Sequence, residues 1–339
     1  MKRIKALLLT GLGTVVLWGG LPDLRADITV RISVKFILDS NSNRPAWTMG
    51  AGTFDVSTGA AFDAEITHAN QVLRNTGRGF RLLVDEYIDI QPPAPAGQNP
   101  DYWFNLDARA NRSTFETAAL ADQTAWRWNT AAINIYVNNS SSGQCSFVGG
   151  GSSISLGATI FSRGTVVHEV GHFFDLRHTH AGDPDCRTTP GPYMPADGDG
   201  LAATVPDHNC LTTRAALLAA LPLAQQAAVD TSWLNVMSYH QEDQLLDEQM
   251  DIWTKHANGA RLFACNGRTW FVGTSGSDQN SGAEASTPFA SVSRSLSAVS
   301  SPNDVILLKS ATYAAPATGR IGTACTLRAT LGPATLVRP

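Results

Sequence analysis

The chain has 339 residues and a mass of 36.1 kDa, enough for one large domain with a smaller one beside it. Hydrophobic residues make up 43% and charged residues 16%, the composition of a globular protein with a sizeable core. The net charge of -4 offers no basic surface, which sets aside nucleic acid and anionic membranes as partners.

The N-terminus opens Met1-Lys2-Arg3-Ile4-Lys5, continues as an apolar run over residues 6–20 and reaches Leu24-Arg25-Ala26. That is the pattern of a secretory signal peptide over 1–26. The run is too short for a membrane span and no second one follows. A buried N-terminal helix is the alternative. Export predicts a secreted location, extracellular or periplasmic, and agrees with the use of cysteine. Five cysteines leave at least one thiol without a partner in the chain. Cys186 and Cys210 bracket a loop with little hydrophobic content and are the expected disulfide, Cys265 with Cys325 is a second pairing, and Cys145 is left over. Spacing alone does not fix this connectivity.

Residues 28–38 alternate apolar and polar, which predicts a half-buried strand opening the main sheet. Residues 62–74 read as an amphipathic helix ended by Asn75-Thr76-Gly77, and 80–90 as a strand stopped by Gln91-Pro92-Pro93. Ser113 with Glu116 three residues on predicts a capping box, with a helix running to about 129. A short strand over 132–137 follows, then a loop over 138–152 rich in Asn, Ser and Gly. Residues 154–161 are expected to be an edge strand, along which an extended peptide could pair.

Residues 164–174 are the next helix, and the stretch His168-Glu169-Val170-Gly171-His172-Phe173-Phe174-Asp175-Leu176-Arg177-His178 carries the chemistry. Positions four apart on a helix differ by about 400° of rotation, so His168 and His172 share a face and can hold one metal ion, with Glu169 beside them. On a continuing helix His178 would lie about 240° from that face. It can join them only if the helix stops near Asp175 and the chain folds back. Asp is among the few non-glycine residues that tolerate the left-handed conformation of such a stop. Asp175 or His180 is the alternative third ligand. His68, His208, His240 and His256 carry no spacing signal.

Residues 175–209 form a long polar loop rich in Pro, Gly and Asp, expected to be functional or pinned. Its acidic part, 183–207, could bind calcium or simply be solvated. A helix over 213–230 should bend at Pro222, and a turn-like apolar segment, Trp233 to Tyr239, precedes a helix over 246–257. Beyond Arg268 the composition shifts to Ser, Thr, Ala and Gly, marking a β-rich unit over 268–339.

HExxH, a third histidine six residues on and the segment Asn235-Val236-Met237-Ser238-Tyr239 together resemble the metzincin clan of zinc peptidases, and within it the pappalysin-like (cytophagalysin) family. Asp175 stands where that family has glycine, and Gly198-Asp199-Gly200-Leu201 resembles its loop after the third histidine. The resemblance implies an α+β fold, a zincin catalytic domain over 27–262 with a twisted mixed sheet, an active-site helix and a C-terminal subdomain carrying the Met-turn. It implies zinc held by His168, His172 and His178, Glu169 as general base, Met237 as the apolar floor and Tyr239 either as an oxyanion stabiliser or as a plain buried tyrosine. The implied activity is a secreted metalloendopeptidase acting on protein or peptide. The residues after Arg268 resemble the opening of a pectate-lyase-like parallel β-helix. The contrasting reading is a non-catalytic zinc-containing binding or adhesion protein whose β-rich unit binds carbohydrate or a surface. Oligomeric state is left open.

Overall fold

The computed structural model describes residues 15–17, 28–45, 60–140, 143–145, 151–157, 164–179, 199–205, 207, 211, 213–238, 240, 243–316, 322–330 and 332–337. It has a mixed α+β architecture with parallel sheets. The chain divides into two compact units, one of residues 31–76 with 82–253 and one of 1–30, 77–81 and 254–339. In chain order the strands are β1 (Val15–Leu17), β2 (Ile28–Ile37), β3 (Phe80–Ile90), β4 (Ile133–Asn138), β5 (Gly143–Cys145), β6 (Ser153–Gly157), β7 (Thr269–Val272), β8 (Val305–Lys309), β9 (Thr312–Ala314), β10 (Thr326–Thr330) and β11 (Ala334–Val337). The helices are α1 (Ala60–Asn75), α2 (Tyr102–Asn105), α3 (Arg112–Ala121), α4 (Thr165–Phe173), α5 (Arg214–Ala220), α6 (Asp230–Trp233), α7 (Asp247–Asn258) and α8 (Val292–Ala298). No helix among the described residues is long and apolar enough to cross a membrane.

The larger unit is built on a five-stranded sheet in the order β3-β2-β4-β6-β5. β4 runs parallel to both β2 and β6, while β5 runs antiparallel to β6. Residues 154–157 are therefore not at the edge: β6 lies inside the sheet, and the strand outside it is Gly143–Cys145. The Asn/Ser/Gly-rich stretch before β6, expected to be all loop, supplies that edge strand.

β2 departs from the half-buried expectation. Every residue in it is buried except Arg31, because both faces of the sheet are covered. Phe36 stacks near Tyr87, which meets Phe62 of α1 edge-on. On the other face, Ile37, Ile90 and Tyr136 pack with Trp103, Phe115 and Trp126 in an aromatic layer.

α3 starts at Arg112, not after Ser113, and ends at Ala121, well short of 129. Asn111 precedes it without a side-chain cap. Glu116 makes no capping box because its carboxylate is used elsewhere. It accepts from Arg112 Nη1 at 2.6 Å, from the Ser152 N–H at 2.7 Å and from Ser153 Oγ at 3.0 Å, tying α3 to the start of β6. In the later part of the unit, Thr213 accepts from the Ala216 N–H to cap α5, and Pro222 ends that helix in favour of a 3-10 turn, Leu223–Ala228. Leu217, Leu221, Val229, Val205 and Leu211 form a separate small core there.

The smaller unit stacks β7, β8 and β10 in parallel register, Trp270 beside Ile306 beside Leu327. β9 and β11 pair in parallel as well, and β1 adds to β11 antiparallel. The expected Cys265–Cys325 disulfide is not formed: Cys265 is a thiol, its Sγ 3.7 Å from the Arg261 carbonyl, and burial pushes it up to about 12. Cys186 and Cys210 lie outside the described residues.

A charged side chain is buried in the middle of the larger sheet. Lys35 Nζ donates to Ser33 Oγ and to Asn134 Oδ1, each at 2.5 Å, and Ser33 in turn donates to Glu86. Burial pushes the Lys35 ammonium down to about 7, with Glu86 pulling the other way. The folded state thus holds this proton less tightly than the unfolded chain does, so its contribution makes stability rise as pH goes up from about 7 towards 10.5. The limit for one group is about 1.4 kcal/mol per pH unit. Urea unfolding at a series of pH values should show this slope in the wild type and lose it in Lys35→Met. The same slope in both would refute the assignment.

Candidate metal centre

α4 carries the site, and both of its ends are built by specific contacts. At the N-terminus Gly164 has φ 100°, a conformation only glycine adopts freely, and has no side chain to cap the helix. Glu65 of α1 supplies the cap. Its buried carboxylate accepts from the Gly164 N–H at 3.0 Å and the Val166 N–H at 3.2 Å, placing a negative charge at the positive end of the helix.

At the C-terminus the chain makes the stop that the histidine spacing demands. Asp175 has φ 70°. Its N–H donates to the His172 carbonyl at 2.9 Å, and the Leu176 N–H donates back to the Gly171 carbonyl at 3.0 Å, the paired bonds of a Schellman turn. An aspartate here fills the left-handed role that glycine usually takes.

The turn brings the third histidine to the first two. His178 Nε2 lies 3.2 Å from His168 Nε2 and 3.0 Å from His172 Nε2. His168 Nδ1 donates to the Val236 carbonyl and His172 Nδ1 to the Leu176 carbonyl, both at 2.7 Å. Those bonds put the ring protons on Nδ1 and leave the Nε2 lone pairs of both facing His178. Two inward-facing acceptor nitrogens with the third ring 3.0–3.2 Å away form a donor set that can hold a cation. Among the described residues, these three histidines are the group of three or more whose ligand atoms, all within 4.8 Å of one another, can hold a metal ion, and Asp175 is not in it. Three imidazoles suit a divalent transition metal.

Glu169 is buried beside this cluster, and burial pushes its carboxyl up to about 7, against the opposing pull of Arg109. Its Oε2 has no hydrogen-bond partner among the described residues. A cation at the histidines would draw the carboxyl back towards its ionised form.

Met237 packs against α4. A Cβ added at Gly171 would lie 2.6 Å from Met237 Sδ, so the thioether rests directly on the helix at the one residue without a side chain. The Met237 turn is itself held by Asn235, whose Oδ1 accepts from the Met237 N–H at 2.9 Å and whose amide exchanges bonds with Gln249 of α7. Tyr239 and His180 lie outside the described residues, as does most of the acidic loop. The two acids of the loop region that are described turn inward. Asp199 accepts from Leu201, Thr204 and Gln249, and Asp207 from Thr179 and His240.

Sequence reasoning missed several of these parts. Glu65, the Val236 carbonyl, the Asp207–His240 pair and the reach of Arg109 to Glu169 all join residues distant in sequence, and no local pattern marks them. The contact of Gly171 with Met237 had a signal, a glycine in the middle of a buried helix.

No family model matches the sequence, and no curated protein matches it. Among solved structures, one similar chain is described as the structure of a chaperone-substrate complex, at 16% identity and a TM-score of 0.31, covering 45% of this chain and 24% of that one. At that TM-score the likeness carries no information on function.

If the stop at Asp175 builds the cluster, Asp175→Gly should keep metal affinity, while Asp175→Val should cost about 1–2 kcal/mol of stability and weaken binding, because a β-branched residue resists the left-handed conformation. Gly171→Ala should cost about 1–3 kcal/mol by driving a methyl into Met237. Urea unfolding and metal titration read all three, and equal affinity for Asp175→Gly and Asp175→Val would contradict the role given to the turn.

Proposed function

We propose that the chain is a secreted zinc-dependent endopeptidase of the metzincin, pappalysin-like type. The observation that carries the reading is the convergence of three imidazole Nε2 atoms with the buried carboxyl of Glu169 next to the first of them. Zinc fits this donor set. Zn–N bonds of about 2.0–2.1 Å at tetrahedral angles put ligand nitrogens about 3.3–3.4 Å apart, close to the 3.0 and 3.2 Å found here. Three ligands leave a fourth position open, as catalytic sites require. The mixed sheet with an antiparallel edge strand, the helix bearing the first two histidines and the methionine turn packed against that helix at Gly171 all support the same family reading.

When bound, zinc lowers the pKa of a coordinated water to about 7 and polarises a carbonyl. His168, His172 and His178 hold the ion, and the Val236 and Leu176 carbonyls orient two of the rings. The Glu169 carboxylate takes the proton of the attacking water on a side-chain oxygen and passes it to the leaving amine. Its burial shields it from bulk water. Tyr239, two residues beyond Met237, is assigned the stabilisation of the developing oxyanion. An extended peptide would pair with the edge strand Gly143–Cys145.

Casein digestion tests the assignment. The wild type should digest it, a chelator should abolish digestion, and Glu169→Ala should lower the rate by at least about 100-fold while keeping its zinc. A wild type with stoichiometric zinc that cleaves nothing in a broad peptide library would rule the proposal out. Ligand identity is read separately: His178→Ala should lose zinc affinity and His180→Ala should retain it, and equal losses would overturn the ligand set.

A further inference from the structure

Of the three histidines, His178 alone is not on α4, so its position depends on how its loop is held. On the N-terminal side, Leu176 is fixed by its N–H to Gly171 and by its carbonyl to His172 Nδ1. On the C-terminal side, the Thr179 N–H donates to the Met237 carbonyl at 3.1 Å, and Thr179 Oγ1 donates to Asp207 Oδ2 at 3.0 Å. The other oxygen of Asp207 accepts from His240 Nε2 at 2.9 Å. His240 lies flat on Trp233, ring centres 4.3 Å apart, and its backbone N–H donates to Ser238 Oγ at 3.1 Å. The Asp207 side chain has no exposed surface and that of His240 almost none.

We propose that Asp207 and His240 are positioning residues for the third metal ligand, a buried clasp that fixes the His178 loop against the turn carrying Met237. The inference rests on reading His178 as a ligand. A buried, hydrogen-bonded polar pair is a poor way to gain stability, since apolar residues of the same volume often do better, and fixing register is its better attested use. The geometry matches that use. Asp207 is bonded to the residue after His178 and to a residue three beyond Met237, and the same turn supplies the Val236 carbonyl that orients His168. One carboxylate thereby couples the segments that place the first and third ligands, through bonds spanning 28 and 33 residues of sequence.

Cobalt(II) titration of the full chain tests the clasp, because the visible spectrum of bound cobalt reports the geometry of its ligands. Asp207→Ala should bind cobalt at least about 10-fold more weakly and shift the absorption bands. Asp207→Asn, which still offers an oxygen to Thr179, should recover part of both. Phe115→Leu, in the aromatic layer on the far face of the sheet, serves as a control that lowers stability without touching the clasp. It should bind cobalt as the wild type does. Wild-type affinity and spectrum in Asp207→Ala would overturn the proposal, as would equal losses in Asp207→Ala and Phe115→Leu. Should Asp207→Ala fail to fold, Thr179→Val and His240→Gln decide, and unchanged cobalt binding in both would overturn it. A wild type that takes up no cobalt or zinc would remove the ligand reading itself and the clasp with it. Normal binding in both the wild type and Asp207→Ala would remove the clasp alone.

Discussion

The site depends on a single backbone event, the left-handed residue at Asp175. His178 lies six positions after His172, and helical geometry alone would send the later histidine to the wrong side. Reversing the chain within two residues, with the Leu176 N–H returned to the Gly171 carbonyl, puts all three Nε2 atoms at one point. The same short turn has a second use. The Leu176 carbonyl it exposes is the acceptor that fixes the His172 ring, so the stop that delivers the third histidine also orients the second.

Around that turn the protein spends backbone and buried polar groups where an ordinary core would have apolar ones. Glu65 caps the start of α4, Asn235 and Gln249 brace the turn below it, and the Val236 carbonyl fixes His168. Each of these groups is buried, and each has a partner, which is the condition for tolerating them. Glu169 Oε2 stands apart, buried without a hydrogen bond among the described residues. Burial beside the three imidazoles pushes the Glu169 carboxyl up to about 7, a perturbation of the kind found at functional sites.

Much of this was legible in the sequence, for reasons that can be stated. The i, i+4 histidines follow from helical periodicity, and the need for a stop at Asp175 follows from the rotation of His178 away from that face. Periodicity also placed β3, α1, β4, α4 and α7 to within two or three residues. What failed did so where a tertiary partner outbid a local one. Ser113 and Glu116 have the spacing of a capping box, but the Glu116 carboxylate is taken by Arg112 one turn back and by Ser152 and Ser153 at the start of β6. β2 alternates in sequence, yet Ser33 and Lys35 are buried because a second aromatic layer covers their face. The three-residue strand β5 is too short and too polar to be read from propensity, so its neighbour β6 was placed at the edge in its stead. Asp207 and His240, 33 residues apart, have no pattern that would join them before the fold does.

The central claim is that one ion is held by three imidazoles, two from a helix and one returned by the turn. X-ray absorption at the zinc edge of the zinc-loaded protein measures this directly. The account predicts three imidazole nitrogens at about 2.0–2.1 Å with one oxygen ligand completing the shell. A shell with two imidazoles, or with a thiolate at about 2.3 Å, would contradict it.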